Sequence, residues 1–265
     1  MNSPVPVLWQ LDQRGVATLT FNRPAVNNAY NADLIASFLT TLDALVAESS
    51  LRVVVIRGAG QHFQAGADLK WLSELAGQSP ADNLAASRAT ADAVHQLNTM
   101  AVPTVALIQG ACFGGGTGIA AACDVVIAAD NAVFSIAEAR WGLMAGIIIP
   151  QLNDAIGVRQ VRRYALTGER FDAEEARRIG LAHKVVPLAE LQSAGESVID
   201  QLLQNAPASN AQTKAIAIEH AWGNLTEQTM ARLTEQHAAK RQSAEATEGL
   251  ASFREKRKAT WYPSS

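Results

Sequence analysis

Four of the chain's 18 glycines fall within the five positions from Gly114 to Gly118, directly after the apolar run TVALIQGACF. Glycines placed there let the backbone turn and approach a ligand closely, and they leave the N–H groups of a helix start unobstructed. Such a loop can stabilise negative charge, either on a phosphate or on a carbonyl oxygen that becomes anionic during a reaction. The phosphate motifs do not fit. A dinucleotide fingerprint belongs at the first turn of its unit, with an acidic residue about 20 positions on, whereas Gly114 lies deep in the chain. A P-loop needs a following Lys and Ser/Thr, and Gly116 is followed by Thr117 and Gly118 with no lysine. On its own the cluster is also explained by close helix packing. It has a counterpart, however: HFQAGADLK, residues 62–70, repeats the strand and glycine-loop context. Two loops can then each aim one N–H at the same oxygen, which makes an oxyanion hole.

Other reactive side chains offer less. The five histidines are scattered without metal-ligand spacing, so no metal is expected. Ser135 lacks the G-x-S-x-G context of a serine hydrolase. Cys112 and Cys123 lie in a Gly/Ala-rich apolar segment with no basic activator nearby, and read as buried, unpaired thiols.

The elements that must carry the two loops follow a repeated grammar. VPVLWQLDQ and GVATLTFN read as a hairpin turning at Arg14 and Gly15. From Asn31 a helix is predicted, with Leu34, Phe38, Leu42 and Leu45 on its apolar face. RVVVIRG reads as a strand covered on both faces, followed by a glycine loop and a helix from about Ala67. A helix over 81–98, the strand TVALIQG and the glycine cluster repeat the pattern, and DVVIAADNAVFSIAEARWG adds short strands and a turn near Glu138. Helices dominate VRQVRRYALTG, DAEEARRIG and the segment up to residue 204, apart from a strand near 184–186, and after Pro207 the pattern is helical throughout. Strand–helix units ahead of a helical tail predict an α/β core over residues 1–200 and a helical module over 201–265 whose leading use is oligomerisation.

The 265 residues are long enough for a large core without staples. With 22 Lys+Arg against 25 Asp+Glu the chain offers no general attraction to nucleic acid. The absence of a long apolar run and of a basic leader predicts no membrane partner and a cytoplasmic location.

AGADLK (65–70) and CFGGG (112–116), together with NRP (22–24), CDVVIA, TGERFDAEEARRIGLAHKVV and the terminal FREKRKATW, resemble the enoyl-CoA hydratase/isomerase family, also called the crotonase family, over roughly 250 residues. The resemblance implies a spiral of ββα units with a C-terminal helical trimerisation region, a homotrimer or dimer of trimers, and an acyl-CoA thioester as substrate, with no separate cofactor. It assigns the oxyanion hole to the N–H groups of Ala67 and Gly115. The CoA pocket falls to Ala65, Asp68 and Leu69, although a helix cap is an equally good reading of Asp68. The acid/base role falls to Glu138, and Gly146 is the position whose backbone helps to hold water. Phe253 and Lys256 are assigned to CoA bound by a neighbouring subunit.

One departure matters. The family's first glutamate stands two residues after GGG, and Gly118 occupies that place. A conventional short-chain hydratase is thereby disfavoured, while an isomerase working through the Glu138 position stays open. GGG-x-G, the segment around Glu138 and the IGVRQVRRY stretch are similar to bacterial hydratases of branched glutaconyl-CoA thioesters. That likeness implies hydration of isohexenylglutaconyl-CoA, in acyclic terpene catabolism, or of 3-methylglutaconyl-CoA, in leucine catabolism. Arg140 is then a candidate partner for the distal carboxylate, with a surface arginine as the plain alternative. Gly118, Leu143 and Met144 are candidate substrate contacts, the last two as apolar walls near the acyl end of the pocket for a branched chain. The different-class alternative is a binding protein that keeps the fold without turnover.

Overall fold

The structure, a computed structural model, describes residues 5–205, 207–221 and 226–257. Strands β1 (Val7–Leu11) and β2 (Val16–Phe21) form the expected antiparallel hairpin. Its turn is held by Asp12, whose Oδ1 accepts from the Arg14 and Val16 amides at 2.8 and 3.0 Å. Helix α1 (Ala32–Val46) starts where Asn31 accepts from the Leu34 amide, and buries Leu34, Phe38, Leu42 and Leu45. Strand β3 (Val53–Gly58) pairs parallel to β2.

Helix α2 (Leu69–Ala76) begins two residues later than the sequence predicts. Ala67 is held extended by a parallel bridge to Tyr30, so the helix opens only after Asp68, which caps it by accepting from the Lys70 and Trp71 amides. Helix α3 (Pro80–Asn98), capped by Ser79, leads to β4 (Thr104–Ile108), β5 (Ala111–Phe113), α4 (Gly115–Ala122), β6 (Val125–Ala129) and β7 (Val133–Ser135). A 3-10 turn spans Glu138–Trp141. Then come α5 (Ile149–Thr167), broken at Gly157, β8 (Arg170–Asp172), α6 (Ala173–Ile179), β9 (Lys184–Val186) and α7 (Leu191–Gln204). The helical tail consists of α8 (Pro207–Ala221), α9 (Glu227–Arg241) and α10 (Ala244–Arg254).

The strands make a six-stranded sheet in the order β1-β2-β3-β4-β6-β9, parallel except for β1, and a small sheet β5-β7-β8. Val54 and Ile56 face one core while Val53 and Val55 face another, where α7 contributes Leu191, Ala194 and Ile199. A strand buried on both sides has to be apolar at every position, which is why RVVVIRG shows no alternation. Strand β8 has no counterpart in the sequence reading, because three residues of polar TGERFDAEE are too few to display a period.

The C-terminal helical region folds back on its own chain. Helix α9 lies along α3, and α10 lies against α2 and the Glu138–Trp141 turn. Among the described residues no helix is long and apolar enough to cross a membrane.

Candidate active site

Two loops meet beside β5. The Gln64 amide donates to the Ala111 carbonyl at 3.0 Å, and the Phe113 amide returns a bond to Gln64 at 2.9 Å. Gly66, at φ +86°, passes so near the second loop that a Cβ would lie 3.1 Å from the Phe113 carbonyl oxygen. In the Tyr30–Ala67 bridge, Tyr30 donates to Gly66 and accepts from Asp68. Parallel pairing of this kind uses the neighbours of Ala67 and turns its own N–H to the other side. Gly115 is the first residue of α4, and N–H groups of a first helical turn have no intrahelical partner. Both N–H groups therefore remain free to serve a ligand, and Ala67 and Gly115 line the same chamber of about 520 Å³. Ala65, Asp68, Leu69, Glu138, Arg140, Leu143, Met144 and Phe253 line it as well.

The glycine cluster gives each of its neighbours a place. At Gly114, φ +50°, a Cβ would lie 2.9 Å from Glu138 Oε1; at Gly115 it would lie 2.6 Å from the Tyr30 ring; at Gly116 it would lie 2.8 Å from the Gln64 carbonyl oxygen. Packing and ligand approach are thus two uses of one loop. Glu138 enters from the 3-10 turn after β7. Its Oε2 is buried without a hydrogen-bond partner, and burial pushes its carboxyl up to about 7, opposed only by its own amide. Tyr30 stands at the same wall, edge-on to Trp71 with ring centroids 5.9 Å apart, and burial together with the Glu138 charge raises its phenol above the ordinary range.

Gly118 does not line the chamber. It is buried one turn into α4, where a Cβ would lie 2.2 Å from Ile148 Cγ2 and 2.7 Å from Ile148 Cβ. The space that a side chain at Gly118 would enter is filled by Ile148, under which Gly118 packs. Ile147 and Ile148 instead line an apolar recess of about 30 Å³ that shares Tyr30, Gly115 and Glu138 with the chamber. Gly146 is buried in the turn ahead of them.

Asp68 combines two roles, capping α2 through Oδ1 and pairing with Arg23 through Oδ2 at 3.3 Å. Arg140 is exposed at the chamber rim beside Gly168, where a Cβ would lie 2.7 Å from its Nε. Phe253 reaches the chamber of its own chain, edge-on to Trp141 at 5.1 Å and 87°. Helix α10 thus folds over the chamber of its own chain. Lys256, exposed just past α10, does not line the chamber, and the motif beyond Arg257 lies outside the described residues.

Among the chamber residues not singled out in the sequence are Tyr30, His237 and Arg241. The spacing of His237 and Arg241, four apart on α9, puts them on one helix face. Nothing local tells that face apart from a solvated one.

Comparison with known proteins places this arrangement. The profile of the enoyl-CoA hydratase/isomerase family matches residues 12–263, and the chain belongs to that family. An enoyl-CoA hydratase from Mycobacterium avium is 30% identical, with 98% of this chain and 100% of that chain covered and a TM-score of 0.85. Pseudomonas aeruginosa AtuE is 34% identical over 97% of this chain and 99% of its own, with a TM-score of 0.79. The mitochondrial Delta(3,5)-Delta(2,4)-dienoyl-CoA isomerase of Dictyostelium discoideum is 30% identical, covering 93% of this chain and 87% of its own. The protein is thus an enzyme of hydratase/isomerase type for an acyl-CoA substrate.

Proposed function

We propose that the protein hydrates a branched 2-enoyl-CoA of the glutaconyl type, with isohexenylglutaconyl-CoA first and 3-methylglutaconyl-CoA second. The observation that carries hydratase chemistry is the single buried carboxyl of Glu138 in one chamber with the free N–H groups of Ala67 and Gly115. The thioester oxygen accepts from both N–H groups, so charge developing there is stabilised by fixed donors, each worth roughly 3 kcal/mol. Ionised Glu138 takes one proton from a water whose oxygen bonds to C3. The C2–C3 π electrons move toward the thioester oxygen as the enolate. Glu138 then returns the same proton to C2, so one carboxyl completes the addition. Gly146 is proposed to help hold the water, and Ala65, Asp68, Leu69, Phe253 and Lys256 to hold the CoA portion.

The lone carboxyl favours a second reading, isomerisation, in which Glu138 moves a proton along an allylic system. A panel of trans-2-enoyl, 3-enoyl, methylglutaconyl and isohexenylglutaconyl thioesters, read by product mass and double-bond position, decides between them. A gain of water on the branched glutaconyl esters is expected; shifted double bonds without water on every ester would replace hydration by isomerisation. With Glu138→Gln, turnover should fall about 10²- to 10⁴-fold while CoA-ester binding persists. Near wild-type turnover would remove Glu138 from the acid/base role. The core of residues 1–200, the helical region 201–265 and a homotrimer or dimer of trimers complete the proposal.

A further inference from the structure

Arg241 stands where an arginine is costly. It is only 2% exposed, at the end of α9, and lines the chamber. Its Nη2 donates to the Asn83 carbonyl oxygen at 2.5 Å and to the Ser87 hydroxyl, both neutral. Its Nε is buried with no partner. Among the described residues no carboxylate pairs with it within 4 Å. His237, one turn earlier, also faces the chamber and contacts Ser87 through Nδ1 at 3.0 Å. Burial and the nearby guanidinium push that imidazole down to about 3, so it stays neutral and supplies no counter-charge. Glu138, the chamber's buried carboxyl, lies across Tyr30, whose phenol feels both charges. Asp68 at the mouth is engaged by Arg23, while Lys70, Arg140 and Arg170 there add only positive charge.

Removing a guanidinium from water without an opposing charge is strongly unfavourable, and the cost falls when a bound anion pairs with it. We infer that Arg241 is the seat of an anionic group on the acyl portion of the substrate, a carboxylate that supplies its guanidinium with the opposing charge. The inference deepens the reading of the chamber as an acyl-CoA site and selects dicarboxylic thioesters within it. It also transfers the carboxylate-binding role from Arg140, which is exposed where water competes, to a buried guanidinium that still has an unpartnered N–H.

The test is a comparison of glutaryl-CoA and pentanoyl-CoA binding by calorimetry, with the wild-type protein, Arg241→Gln and Arg241→Lys. The two ligands share every CoA phosphate and the acyl length and differ in the terminal carboxylate. The expected result is at least tenfold tighter binding of glutaryl-CoA by the wild type. Arg241→Gln should abolish that ratio, and Arg241→Lys, which keeps the charge without the planar guanidinium held by Asn83 and Ser87, should reduce it. Equal affinities in the wild type would overturn the assignment. So would a ratio that survives Arg241→Gln, or a loss equal for both ligands, which would point to a CoA phosphate. Where the glutamine variant does not fold, an unchanged ratio in Arg241→Lys overturns it. Because neither ligand is turned over, failure of the hydratase reading leaves this measurement intact.

Discussion

At the scale of residues, the proposed chemistry turns on a carboxyl whose pKa burial raises to about 7. The Glu138 carboxyl is moved from 4.5 to about 7, so the folded chain binds its proton more tightly than the unfolded chain does. Its contribution to stability is fully present below about pH 4.5 and is lost as the pH rises through 7, at a cost of at most about 3 kcal/mol. Glu138→Gln removes that charge. Urea unfolding should therefore show the two proteins close together at pH 5, and the variant more stable by up to about 3 kcal/mol at pH 8. A gap of the same size at both pH values would dissociate Glu138 from the effect. In the proposed hydration ionised Glu138 takes the proton from water, so kcat/KM of the wild type should rise with pH through about 7.

Among elements, α4 and the turn leading into α5 form a matched pair. Gly118 is small and Ile148 fills the space above it, so a carboxylate cannot simply be restored. Gly118→Glu alone should destabilise the fold by about 1 to 3 kcal/mol through overpacking, with no gain in hydration of the unbranched crotonyl-CoA. Gly118→Glu combined with Ile148→Ala should recover stability and raise crotonyl-CoA hydration. A rise in the single variant would mean that Ile148 yields easily. The same pairing ties Gly118 to the shape of the apolar recess, because Ile148 lines that recess while covering Gly118.

The whole molecule closes its site with its own tail. Helix α10 lies on the Glu138–Trp141 turn, and Gly249 permits the contact: a Cβ there would stand 2.2 Å from the Trp141 carbonyl carbon. Gly249→Val should lift α10 away from Trp141, raising KM for CoA esters several-fold and exposing the tail to proteolysis while the sheet keeps its stability. Unchanged KM would show that α10 is not needed to complete the chamber. The proposed trimer has candidate contact groups in the exposed Val158 and Leu166 of α5. Light scattering at working concentration should return a mass three or six times 28.1 kDa.

Local patterns in the sequence already determine much of this protein. Asn31 ahead of an apolar stripe defines α1, RVVVIRG requires a strand covered on two faces, and the paired glycine loops single out two chain segments that line one chamber, because caps, periods and glycine turns act over a few residues. The assignment of Glu138 to the site rested on resemblance rather than on spacing, and the structure supplies the burial that makes its carboxyl useful. Only tertiary structure decided that Ile148 fills the space beside Gly118, that Phe253 lies over its own chain's chamber, and that Arg241 is a buried cation with no counter-charge within 4 Å among the described residues. Each of these depends on residues 30 to 158 positions apart brought together by the packing of α4, α9 and α10. A helix face carrying His237 and Arg241 looks like any solvated face until α3 lies against it.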